Sequence, residues 1–114
     1  MNSPATPAID RAAGVAGLGG DAAMYARVLH RFAESFGAMP DGICAALAQD
    51  DTEQAVRLAH TLKGAAGTIG AGSLQAAAWR LEQSLRSGSD NCGGLLDDVA
   101  AELQRVLHEI AGLA

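Results

Sequence analysis

Aromatic residues are scarce in this chain, 4% against 49% hydrophobic overall, so its core has to be assembled from Leu, Val, Ile and many alanines. Small packing residues of this kind suit helices that approach closely. No apolar run nears the roughly 18 to 20 residues of a membrane span, and the start lacks the basic-then-apolar order of a secretory signal. A soluble, cytoplasmic protein is expected. Cysteine is nearly absent: Cys44 and Cys92 are too few and too far apart for a disulfide framework or a zinc site. Cys44 is expected in the core, and Cys92 exposed in the loop-like Ser87 to Gly94. Basic residues are outnumbered, 8 to 13, for a net charge of −5, which leaves no general basic face for nucleic acid. A glycine-rich nucleotide loop followed by Lys-Ser or Lys-Thr is missing, so ATP binding is not expected. Also missing are an internal repeat and any β-branched stretch alternating apolar with polar residues.

What the 114 residues do contain is one domain's worth of helical pattern. Residues 1–7, with Pro4 and Pro7, are expected to form a flexible tail, and 8–114 the domain. A short helix is predicted from Ala8 to about Val15, ending at Gly17, Gly19 and Gly20. Asp21 then reads as an N-cap, followed by Tyr25, Val28, Leu29, Phe32, Phe36, Met39, Ile43 and Leu47 at steps of three and four. Pro40 lies within that stripe and predicts a kink or brief break between Gly37 and Gly42. Asp50 or Asp51 caps the next segment, whose inward face is Ala55, Leu58, Ala59, Leu62, Ala66 and Ile69. After Gly70-Ala71-Gly72, Ser73 is the expected cap of a helix with Leu74, Ala77, Ala78, Leu81 and Leu85 inside. A last stripe runs Leu96, Val99, Leu103, Val106, Ile110 and Leu113. Four amphipathic segments with short connections predict an all-α, antiparallel four-helix bundle with a short additional N-terminal helix.

Charge is unevenly spread. Residues 57 to 86 hold Arg57, Lys63, Arg80 and Arg86 against Glu82 alone, a net +3, while the rest carries −8. Lys63 is the only lysine. It belongs to Ala59-His60-Thr61-Leu62-Lys63-Gly64-Ala65-Ala66-Gly67-Thr68, where two glycines each cost a helix about 1 kcal/mol relative to alanine. Helical spacing puts Val56, His60, Lys63, Gly64 and Gly67 on one side, apart from the Leu58, Leu62 and Ile69 stripe. His60 then points outward, with a cation beside it and no bulky neighbour one turn on. Neutral imidazole is a nucleophile suited to an incoming phosphoryl group. From the next helix, Gln75, Trp79, Glu82 and Arg86 form a face that could border it, and Glu82 could fix the imidazole tautomer by accepting from one ring nitrogen. The bland reading is a surface histidine, glycines that only allow close packing, and solvated arginines; His30 and His108 are given that reading.

The run His60-Thr61-Leu62-Lys63-Gly64-Ala65-Ala66-Gly67, with Ile69-Gly70-Ala71, Leu74 and Leu81-Glu82, resembles a histidine-containing phosphotransfer (HPt) domain. Leu18-Gly19-Gly20-Asp21 with Tyr25, Leu29 and Phe32 is similar to the family's lead-in helix, and Leu47 and Asp50 to its approach to the histidine. The resemblance covers roughly residues 10 to 112. It implies an intermediate of a multistep two-component phosphorelay, which takes a phosphoryl group from a receiver-domain aspartate onto His60 and passes it to another receiver aspartate. His60 would attack through Nε2, Lys63 would steady the phosphoryl charge, Gly64 would give steric access and Glu82 would orient the imidazole. The receiver would dock over Val56, Arg57, Gly67 and Arg86.

Phosphoryl transfer of this sort runs mainly on positioning and charge neutralisation. No kinase activity of its own, metal or bound cofactor is expected; Mg²⁺ would belong to the receiver partner. The partners implied are receiver domains of response regulators or a hybrid sensor histidine kinase, not nucleic acid or membrane, and a monomer is the default. Two alternatives stay open: the phosphoacceptor domain of a chemotaxis-type histidine kinase, and a helical adaptor that is never phosphorylated. A metal or haem bundle would need several inward ligands, and His30, His60 and His108 lie on separate helices without the paired Glu-x-x-His spacing of carboxylate di-metal bundles.

Overall fold

The computed structural model describes residues 7–88 and 92–113; the expected tail lies, Pro7 apart, outside them. The described residues form six helices and no strand: α1 (Arg11–Gly17), α2 (Ala22–Phe36), α3 (Met39–Ala48), α4 (Thr52–Ile69), α5 (Gly72–Arg86) and α6 (Gly93–Ala111). The expected antiparallel bundle is present. Its four walls are the α2–α3 pair, α4, α5 and α6, each packed on the next, while short α1 lies against α4 and α2. No helix among the described residues is long and apolar enough to cross a membrane.

Three of the helices start by one device. Asp10, Asp21 and Asp51 each accept the backbone N–H three residues on, at 3.0, 2.9 and 3.1 Å, which satisfies an amide that the first turn leaves without a partner. Asp51 is thus the cap of α4, and Asp50 makes the turn before it at φ 59. The predicted break falls at Gly37–Ala38, with Pro40 in the first turn of α3, where its missing N–H costs nothing.

The apolar stripes fill the core: Ala55, Ala59, Leu62 and Ala66 of α4, Leu74, Ala78 and Leu81 of α5, and Val99 and Val106 of α6 are fully enclosed. Four local expectations are corrected. α1 starts at Arg11 instead of Ala8, because Asp10 is its cap and the amides of Ala8 and Ile9 are both taken by the Glu109 carboxylate of α6. Ser73 does not cap α5; Ala71 N–H bonds Ala66 O at 2.8 Å as α4 ends, and α5 begins directly after it at Gly72. The cysteines exchange places: Cys44 is exposed, since Ile43 and Ala46 are the residues α3 turns inward, and Cys92 is buried with Sγ 3.5 Å from Ser84 Oγ. Leu113 lies past the end of α6 and is 39% exposed.

The C-terminal end of α4 is fastened from two sides. Tyr25 Oη donates to Ile69 O at 2.7 Å, and Asp10 N–H donates to Gly70 O at 2.8 Å. Both acceptors belong to a helix end whose carbonyls have no partner within α4. Gly14 on α1 lies so close to the Tyr25 ring that a Cβ there would overlap it. The helix that carries His60 is therefore held in position by α1 and α2.

Candidate functional site

His60 sits in mid-α4, next to the enclosed Ala59 but rotated out of the core, with its side chain 59% exposed. Across from it on α5, Glu82 is 2% exposed, a buried charge that burial alone would disfavour. Four interactions compensate it. Glu82 Oε2 lies 3.0 Å from His60 Nδ1 and accepts from Arg86 Nε at 3.0 Å and Nη2 at 2.8 Å. Lys63 Nζ stands 3.0 Å from Oε1, an ion pair without the angle of a good hydrogen bond. Burial pushes the Glu82 carboxyl up, but Arg86, Lys63 and His60 together outweigh it and hold the group at about 2 instead of 4.5.

An ionised carboxylate only accepts, so the proton of a neutral His60 ring has to be on Nδ1. The lone pair is then on Nε2. One turn beyond His60, a Cβ added to Gly64 would meet nothing within 4 Å, so the ring has free space beside it and a cation, Lys63, within the same turn. The arrangement is a fixed, exposed imidazole nucleophile with positive charge at hand for an anion.

The Hpt domain family matches residues 27–109, from α2 to near the end of α6. This chain is a member of the Hpt domain family. No curated protein and no solved structure matches it. Hpt domains in general carry out histidine phosphotransfer in phosphorelays and interact with receiver domains.

Within the Hpt domain, four of the residues singled out from sequence come together as one cluster: His60, Lys63, Glu82 and Arg86. Val56, Arg57 and Arg86 stand apart from Gly67. They line a groove of about 490 Å³ with Thr52, Glu53 and Leu85, between the first turns of α4 and the last of α5. Arg57 is bonded to Gln54 Oε1 and not to Glu82. Gly67, expected on the partner-facing side, is half-buried; its position is where the Gln75 side chain of α5 crosses α4 so closely that a Cβ would overlap the amide. Gln75 thus stands level with Gly67, and Glu82 with His60. That antiparallel register puts Trp79, 50% exposed, level with Lys63.

The bonds from Arg86 to Glu82 are not evident from the sequence. Their only signal is the four-residue spacing, which on a helix brings the two side chains together.

The open space at Gly64 has a measurable consequence, because a glycine inside a helix with nothing around it is unfavourable for the fold. Gly64→Ala should therefore raise unfolding free energy by about 0.5 to 1 kcal/mol. Gly64→Gln should also fold, yet slow phosphoryl exchange with a receiver on the order of tenfold or more, since its side chain would fill the space beside the ring. Urea unfolding and transfer rates measured on the same samples check both; a Gly64→Gln variant that transfers at the wild-type rate would remove the access role.

Acid should act through Glu82. Its carboxyl is depressed in the folded state, so its charge stabilises the fold fully above its ordinary 4.5, and that stabilisation is lost as pH falls through about 2. Relative to Glu82→Gln, the wild-type stability advantage should shrink as pH falls below about 5. An advantage that does not change with pH would mean that the ion cluster adds nothing through its charge.

Proposed function

We propose that this protein is the histidine phosphotransfer intermediate of a multistep phosphorelay. His60 Nε2 attacks the phosphorus of a receiver's aspartyl phosphate; the Nε2–P bond forms, the P–O bond breaks, and its electron pair returns to the receiver carboxylate. The ring takes on a formal positive charge with its proton still at Nδ1, and Glu82 Oε2 compensates it there. Lys63 faces the arriving phosphoryl charge, and Gly64 leaves room for the receiver's loops. The reverse displacement by a second receiver aspartate restores neutral His60.

One observation carries this reading: the 3.0 Å contact of His60 Nδ1 with an ionised carboxylate, which fixes the exposed imidazole as a nucleophile through Nε2. A carboxylate beside a phosphohistidine would repel it if it faced the phosphorylated nitrogen. Here it faces the other one, and two cations neutralise it.

Chemistry of this kind is positioning and charge compensation, so the chain supplies no kinase activity, and Mg²⁺ is supplied by the receiver. The receiver docks over the exposed His60 side of α4 and α5, with Val56 and Arg57 in the groove beside it. The protein acts in the cytoplasm as a monomer. The test is incubation of the purified protein with a phosphorylated receiver domain and Mg²⁺. The expected product is a label on this chain that is acid-labile and alkali-stable; no label from a panel of receivers would overturn the relay reading.

A further inference from the structure

The Glu82 side chain is shared. The oxygen that meets His60 Nδ1, Oε2, is also the one on which Arg86 closes two hydrogen bonds, at 3.0 and 2.8 Å. The other oxygen is left to Lys63. Arg86 is anchored on α5 four residues from Glu82, with its side chain 54% exposed. Its hydrogen bonds go to Glu82 and not to His60, so its bonded link to the ring runs through Oε2.

A bare carboxylate at Nδ1 has two effects on an imidazole. It orders the ring and places the proton on Nδ1, which favours attack through Nε2. It also attracts positive charge to the ring, and the simplest way to acquire that charge is a proton on Nε2, which destroys the nucleophile. A histidine that must be oriented but not protonated needs its carboxylate partly neutralised from the far side. An arginine is well suited to this, since it remains charged at every relevant pH and its planar fork can hold one carboxylate oxygen in a fixed place.

We propose that Arg86 is a positioning residue for the His60 chemistry, holding Glu82 Oε2 at Nδ1 while offsetting its charge, so that the ring is oriented for attack but not kept protonated. This deepens the phosphorelay reading and rests on it. It also changes the meaning of the positive charge on α5: Arg86 is more than a rim charge for docking. Among the described residues, the charged groups bonded to His60 or Glu82 are Lys63 from α4 and Arg86 from α5. None reaches the pair from α1, α2 or α3, the other helices against α4, or from α6 behind α5.

The direction is fixed by charge. Removing Arg86 leaves Glu82 less neutralised, and that favours the protonated imidazole. The experiment compares the full chain with Arg86→Gln, Arg86→Lys and Arg80→Gln, the last removing an exposed α5 cation that does not contact Glu82. Two readouts are taken between about pH 5 and 8: the ring-nitrogen NMR shifts of His60, identified by their loss in His60→Gln, and the rate of phosphoryl acceptance from a receiver.

In Arg86→Gln the midpoint of the His60 ring titration should move up by about half a unit to one unit. The acceptance profile should move with it, so that the loss of rate is several-fold near neutrality and shrinks as pH rises. Arg86→Lys should recover most of the shift, and Arg80→Gln should follow the wild type. A rate that falls by one factor at all pH values, with the ring titration unmoved, would make Arg86 a docking contact and overturn the inference, as would an Arg86→Lys variant that titrates like Arg86→Gln. Should the wild type accept no phosphoryl group, the relay reading fails while the ring titration still decides the role of Arg86.

Discussion

His60→Gln is expected to take phosphoryl acceptance to background while leaving the bundle's stability within about 0.5 kcal/mol of wild type. The two halves have separate physical causes. Glutamine has no ring nitrogen with a free lone pair, so no N–P bond can form and no neighbouring group replaces it. Among the described residues, His30 and His108, exposed on α2 and α6, have no carboxylate in contact with a ring nitrogen such as His60 has in Glu82. The fold, in contrast, has little invested in the His60 side chain, because more than half of it is in water. Glu82 loses one donor but retains Arg86 and Lys63, so its charge does not become an unpaired buried one. Acid-labile label assayed beside urea unfolding tests the dissociation. Residual acid-labile label on His60→Gln would move the phosphorylation site elsewhere, and a large fall in stability would mean that the imidazole is part of what holds α4 to α5.

The largest effect on stability is expected at a residue with no part in the chemistry, Gly70. It ends α4 in the left-handed region at φ 82, and the space where a Cβ would go is occupied by the backbone carbonyl oxygen of Asp10. Alanine there bears the left-handed penalty of a residue with a Cβ, and it must also push back a main-chain atom that cannot rotate away. The displaced segment takes with it the Asp10 N–H bond to Gly70 O. Together these put the loss for Gly70→Ala at about 2 to 4 kcal/mol. Phosphoryl acceptance by the fraction that remains folded should be nearly normal, since His60 lies over two turns away. A change under about 1 kcal/mol in urea unfolding would mean that the N-terminal segment gives way without cost.

Much of this is legible in the chain, and what is not follows a pattern. The stripes of α4, α5 and α6 can be read because an amphipathic helix repeats at 3.6 residues, and one face either enters the core or does not. His60, Lys63 and Gly64 stand out for the opposite reason: a lone lysine and an interior glycine are out of place on an ordinary solvent face. Contacts between residues distant in sequence leave no such mark. Nothing in Glu109 announces that it binds the amides of Ala8 and Ile9, about a hundred residues earlier. Tyr25 looks like one more apolar member of its stripe, while its hydroxyl caps a carbonyl of α4. Cys44 reads the wrong way round because on α3 a rotation of one position decides between core and water, and Cys92 because a loop-like composition gives no sign that the side chain before α6 turns inward. Ser73 looks like a cap, but the turn before α5 is tighter than the serine suggests.

The exposed Trp79 has a practical consequence. It is the only tryptophan in the chain, its ring is half in water, and the α4–α5 register puts it level with Lys63. Indole emission moves to shorter wavelength when water leaves the ring, so a partner that covers the lysine also dims or shifts the one bright fluorophore of the molecule. Encounter with a receiver can then be timed by stopped flow on the unlabelled protein, and binding separated from the chemical step that follows it.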